Sequence, residues 1–134
     1  EYGERIAALA KNPVVNLVGQ DTLLEFLATL QRAKALLSPD SGPAHMATTV
    51  GTPVIGLYAA TNPARSGPYY SRAWCVDRYE AAALKFRRRP AAELPWNEKI
   101  EEPGVMDLIT VDAVAERLDA LLQAPADARP GAGR

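Results

Sequence analysis

Leu36-Leu-Ser-Pro-Asp-Ser-Gly-Pro-Ala-His-Met-Ala-Thr-Thr-Val-Gly-Thr-Pro-Val-Ile-Gly-Leu-Tyr58 decides the fold. It reads as a strand end, a tight polar loop, a short helix, a glycine stop and a second buried strand. Leu36 and Leu37 close an apolar run, and Pro39 removes a ladder donor and biases Ser38 towards extended backbone. Asp40, Ser41 and Gly42 form the loop. Pro43 suits the first helical turn, where its missing N–H costs nothing. Gly51 suits the left-handed position just past a helix end. Pro53–Tyr58 is apolar enough to be buried on both faces, as parallel strands are.

A helix that starts directly after a strand presents free N–H groups and a partial positive charge at the strand's carboxyl end. Gly42 has no side chain to hold a bulky phosphate off the backbone. Ser41 can donate a hydroxyl hydrogen bond, and His45 sits about one turn into the helix, able to point back over the same spot. A bare Asp40 carboxylate repels phosphate, so it is expected to accept from loop N–H groups or from the hydroxyls of a sugar beyond the phosphate. The same residues also suit an ordinary turn with a helix cap.

The bounds on the chain are plain. At 134 residues it is one domain by length. A net charge of −1 argues against a protein that coats nucleic acid or anionic membrane. No apolar run approaches the ~18–20 residues that span a bilayer. Cys75, the single cysteine, excludes an internal disulfide, fits a reducing compartment and reads as a small core residue. No Cys/His cluster has metal spacing, so a structural zinc is not expected; no cofactor is expected either. The chain opens on Glu1 rather than Met, which reads as a piece of a longer protein.

Outward from the central stretch, Glu1–Lys11 reads as a helix, Val14–Val18 as a β-branched strand, and Gly19-Gln20-Asp21 as the turn out of it. Thr22-Leu-Leu-Glu25 fits a capping box, with Thr22 capping and Glu25 reaching back, for a helix to about Ala33. This alternation of strands and helices implies βαβ units in a parallel sheet, an α/β, Rossmann-like fold whose ligands bind at the carboxyl ends of the strands. The Gly19–Thr22 and Asp40–Gly42 loops then lie side by side, and Asp21 and Thr22 are read either as framing a base or ribose, mostly through backbone, or as a plain turn with a cap. Ala59–Tyr70 is a loop, in which Thr61 is read as capping a short turn opened by Asn62-Pro63. Beyond it come a short strand at Ala73–Val76 and an irregular Pro90–Gly104, where Trp96 either anchors the loop or stacks on a ligand, anchoring being the default. The basic run Lys85–Arg89 is read as a solvated face that compensates acidic Glu98–Glu102, with a phosphorylated acceptor as the competing use. A helix from about Val111 to Gln123 has Thr110 as its cap and Val111, Val114, Leu118, Leu121 and Leu122 as its apolar stripe. Residues 125–134 read as a disordered tail, which leaves 1–124 as the folded domain.

The block Ser38-Pro-Asp-Ser-Gly-Pro-Ala-His-Met-Ala47, then Gly51-Thr-Pro-Val-Ile-Gly-Leu-Tyr58, then Thr61-Asn62-Pro63 and Gly67-Pro68-Tyr69, resembles the ADP-heptose lipopolysaccharide heptosyltransferases, glycosyltransferase family 9. That family carries an Asp-Ser/Thr-Gly-x-x-His-x-Ala block, a Gly-x-Pro-x-x-x-Leu-aromatic strand and a Thr-x-Pro-x-x-x-Gly-Pro loop. The resemblance implies the C-terminal, donor-binding half of a GT-B fold, with the N-terminal acceptor domain lying outside this chain. It implies transfer of heptose from ADP-heptose to the lipopolysaccharide inner core or a lipid A acceptor, with inversion and no obligatory metal. The site residues it implies are Asp40, Ser41, Gly42 and His45, with Arg65 on the cleft loop as a candidate contact for phosphate or acceptor, an exposed loop arginine with no specific role being the equal alternative. The catalytic base is expected in the missing domain, so the chain alone should bind donor weakly and not turn over. A cytoplasmic location follows, with at most peripheral association with the inner membrane and no nucleic-acid partner. A GT-B enzyme using another nucleotide sugar, a nucleotide-sugar epimerase of similar fold, and a non-catalytic nucleotide-binding module remain as alternatives.

Overall fold

A computed structural model of the chain describes residues 1–125. The expected tail lies outside the described residues except for Pro125. Three parallel strands, β1 (Leu36–Pro39), β2 (Val54–Tyr58) and β3 (Val76–Asp77), form one sheet in the order β1-β2-β3. The register pairs Leu36 with Val54 and Pro39 with Leu57, then Leu57 with Val76 and Tyr58 with Asp77.

Alternation along β2 places the helices on opposite faces. Val54 packs with Leu30 of α2 (Leu23–Arg32) and with Ala44 and Ala47 of α3 (Gly42–Thr49). Its neighbour Ile55 turns the other way, onto Val76 and onto Leu121 of α6 (Val111–Gln123). Successive side chains on a strand point to opposite faces, so one buried strand joins two apolar clusters into a layered α/β domain. A third cluster caps the carboxyl end of β2, where Ala59, Ala83 and the short helix α5 (Tyr79–Ala82), through Tyr79 and Ala82, close around Ile100 and Val105.

The local signals of α2 and α3 are realised. Thr22 accepts from the Glu25 N–H at 3.4 Å, while its own N–H and hydroxyl both donate to Glu25 at 2.8 Å, a complete capping box. The Thr22 N–H, and then its hydroxyl, hold the Glu25 carboxyl below the usual range. Ser41 is the N-cap residue of α3, Pro43 sits in the first turn, and Gly51 follows the helix with φ 78°, where a side chain would strain the backbone. Thr110 caps α6, accepting from Ala113 N–H at 3.2 Å.

Three expectations fail. Val14–Val18 forms no strand: no other strand lies beside it among the described residues, and Val15 is 84% exposed. A strand exists only as one side of a ladder, so β-branched composition without a neighbour leaves extended chain. Helix α1 (Tyr2–Leu9) precedes it as expected. The strand expected at Ala73–Val76 starts three residues later, because Arg72–Trp74 closes a 3-10 turn whose Trp74 N–H donates to Ser71. Of the apolar stripe expected on α6, Val114 and Leu121 pack inward, while Val111 is 84% exposed and Leu118 and Leu122 are exposed as well.

Candidate functional site

Helix α3 begins three residues after β1 ends, at the carboxyl edge of the sheet. The Ser41 and Gly42 N–H groups have no intramolecular acceptor among the described residues; the first capping bond is donated by Ala44 to the Ser41 carbonyl at 3.1 Å. Gly42 is exposed, and a Cβ built on it would meet nothing nearer than Met46 Cε at 4.0 Å. The mouth of the helix is therefore open, with two donors and the positive end of a dipole facing outward. His45 is exposed one turn further on.

The loop residues take more specific positions than their types foretell. The Ser41 hydroxyl turns back to the buried Ser38 hydroxyl at 2.9 Å, so its first partner is internal. Asp40 accepts no loop N–H. It takes the Ser66 hydroxyl at 2.7 Å, from the end of the short helix α4 (Pro63–Ser66). Asn62, not Thr61, caps that helix, accepting from Ala64 N–H at 2.9 Å, and Tyr58 donates its hydroxyl to the Ser66 carbonyl at 3.2 Å. Burial pushes the Tyr58 phenol well up, and the Asp40 carboxylate adds to the shift. Arg65 precedes Ser66 in α4, and its Nε is buried without a hydrogen-bond partner. Its charge lies near Tyr79, a phenol pushed up by burial and by Glu98 and held back by Arg87 and Arg65.

Asp21 and Thr22 do come beside α3. They line a largely apolar cavity of about 520 Å³ with Leu17, Phe26, Pro43 and Met46. Thr22 offers it little, since its N–H and hydroxyl are engaged in the capping box. Trp96 does not anchor its loop: it is 65% exposed and lines a separate cavity with Asn62, Tyr79 and Leu94.

Sequence reading missed a strap. Glu98–Glu102 folds back over the carboxyl end of β2, and with Asp40 and Thr61 its Lys99 and Glu101 line a cavity of about 220 Å³. Arg87 fastens the strap, donating to Glu98 at 2.6 Å, to Glu102 and to the Lys99 carbonyl at 3.2 Å. The compensating role expected of the basic run is thus carried by Arg87, as defined ion pairs. The hydrogen bond from Arg87 holds the Glu102 carboxyl below its ordinary value of 4.5. A depressed folded-state pKa gives stability that is complete above the unfolded value and is lost as pH falls through the folded one. Protection of the Ile100 amide from hydrogen exchange should therefore be full above pH 4.5 and decline below it. Protection that tracks only global unfolding in acid would show that the pair does not hold the strap.

The sheet, its two helical faces and the crevice at its carboxyl edge define a Rossmann-like α/β domain. The chain belongs to glycosyltransferase family 9 (heptosyltransferase), whose model matches residues 1–96. It is 42% identical over 121 residues to the lipopolysaccharide core heptosyltransferase OpsX of Haemophilus influenzae, covering 90% of this chain and 35% of that protein. It is 30% identical over 123 residues to lipopolysaccharide heptosyltransferase 3 of Escherichia coli K12, covering 91% of this chain and 32% of that protein. With lipooligosaccharide heptosyltransferase 2 of Haemophilus influenzae it shares 32% over 74 residues, or 55% and 21% of the two chains. The chain spans about a third of the length of the first of these relatives and less of the others. No solved structure matches it significantly.

Proposed function

We propose that this chain is the nucleotide-sugar-binding domain of an inverting glycosyltransferase that moves heptose from ADP-heptose to the lipopolysaccharide inner core or a lipid A acceptor. One observation carries the reading: the open mouth of α3, where the Ser41 and Gly42 N–H groups lack acceptors and Gly42 leaves room for an anion. In the proposed complex these donors take the diphosphate, and Asp40 faces the hydroxyls of the sugar. The adenine lies in the apolar cavity between the starts of α2 and α3, which falls within the roughly 300–1,000 Å³ usual for small-molecule sites.

The chemistry follows from the leaving group. Breaking the bond between the sugar and the diphosphate builds negative charge on the departing nucleotide, and preorganised donors aimed at that charge lower the barrier. Ser41 and Gly42 N–H, the α3 dipole and His45 supply such stabilisation on this side. A general base must take the acceptor hydroxyl's proton. No described residue is assigned that role, and in this reading the base comes from the acceptor half of a longer protein. The enzyme would work in the cytoplasm, at most peripherally on the inner face of the inner membrane. Among the described residues no helix is long and apolar enough to cross a membrane.

Titrating the protein with ADP, ADP-heptose and UDP tests the reading. ADP and ADP-heptose should bind, weakly for this domain alone, and UDP more weakly still, because a pyrimidine fills less of the apolar cavity. Equal binding of UDP would favour an enzyme with a different nucleotide sugar. No binding of any of the three would remove the donor site.

A further inference from the structure

The strap Glu98–Glu102 lies beyond residues 1–96, the part of the chain that the family model matches, yet it closes over the same edge of the sheet. It is held rigidly. Tyr79 donates its hydroxyl to the Glu98 carbonyl at 3.1 Å, and Ile100 N–H donates to the Ala60 carbonyl at 2.8 Å. Arg87 takes both ends of the strap through Glu98 and Glu102. Ile100 is fully buried, and its neighbours Lys99 and Glu101 are exposed and share one cavity with Asp40 and Thr61. Anchoring the middle residue inward thus fixes where the two flanking charges emerge.

The Lys99 ammonium makes no ion pair among the described residues, although Asp40 and Glu101 line the same cavity. A cavity of about 220 Å³ is below the range for drug-sized ligands and takes a single ring, not a whole nucleotide. An ionised carboxylate only accepts hydrogen bonds, so it suits a polyol and repels phosphate. An ammonium on a flexible stem does the reverse, meeting phosphate as a point charge.

We propose that the strap is the second wall of the donor site, with Lys99 meeting the phosphate that adjoins the sugar and Glu101 accepting from the sugar's hydroxyls. This rests on the reading of the α3 mouth as the diphosphate site. Because the strap is already fastened by Arg87, Tyr79 and Ile100, little ordering remains to be done when the donor arrives.

Binding of ADP and ADP-heptose, followed by amide chemical shifts at millimolar ligand, tests it. Lys99→Met should weaken both ligands about tenfold, the loss of one charge-assisted contact. Glu101→Gln should weaken ADP-heptose severalfold and leave ADP unchanged, a split between ligands that a merely structural role would not produce. Lys99→Arg should recover most of the ADP affinity. Both side chains are exposed, so unchanged melting temperatures are expected and serve as the folding control. If both variants bind both ligands like the wild type while Gly42→Val loses them, the strap is not part of the site and the α3 reading stands. If the wild type binds neither ligand, both readings fall.

Discussion

Replacing Gly42 with Val should abolish nucleotide binding and leave the fold intact. In a helix the Cα–Cβ bond tilts towards the N-terminus, so a side chain at 42 reaches into the mouth that a phosphate would occupy. The space is free of the protein's own atoms, since the nearest is Met46 Cε at 4.0 Å from the ideal Cβ. Val in a first turn changes stability by less than about 1 kcal/mol. Excluding the anion forfeits two charge-assisted hydrogen bonds, each worth roughly 1.5–3 kcal/mol. Their loss weakens binding by about a hundredfold or more. Calorimetry with ADP, beside a thermal melt of the same variant, separates the two effects. Wild-type affinity in Gly42→Val would mean that the phosphates lie elsewhere.

Replacing Ile100 with Ala should destabilise the domain and release the strap together. The side chain is fully buried among Ala59, Tyr79, Ala82, Ala83 and Val105 at the end of β2. Three of these neighbours are alanines with no side chain to swing into a void, so the cavity would persist. Truncating such a residue costs about 2–5 kcal/mol. At roughly 3–5 °C per kcal/mol for a domain of this size, the melting temperature should fall by on the order of 10 °C or more. A change below about 1 kcal/mol would show that the region repacks and that the strap is not pinned from beneath.

What could be read from the residues depends on how far apart the partners are. The start of α2 is written within four residues, Thr22 to Glu25, and the start and stop of α3 in Pro43 and Gly51; both helices form where those signals stand. Strand β2 is recognisable because its apolar run is bounded by Pro53 and by the polar Thr61-Asn62-Pro63 loop. The same logic misplaced Val14–Val18, since β-branched composition says that a segment fits a sheet but not that a neighbour is present. The open mouth of α3 was legible from a glycine and a proline after a strand. The partner of Asp40 was not: Ser66 is 26 residues away and reaches it only because β1 and β2 run side by side. The strap left no periodic signal at all. Its fastenings join Arg87 to Glu98 and Glu102, and Ile100 to Ala60, and Lys99 owes its position at the edge to them. Charge balance pairs the basic run with the acidic one, but does not single out Arg87 for the pairing or leave Lys99 at the crevice.

The measurement that bears most directly on the account is a residue-resolved amide titration of the chain with ADP. The account predicts that the largest shifts fall on Ser41, Gly42 and Ala44, with smaller ones at Asp21 and Thr22. Shifts confined to other surfaces, or no shift at the Gly42 amide at millimolar ADP, would contradict it.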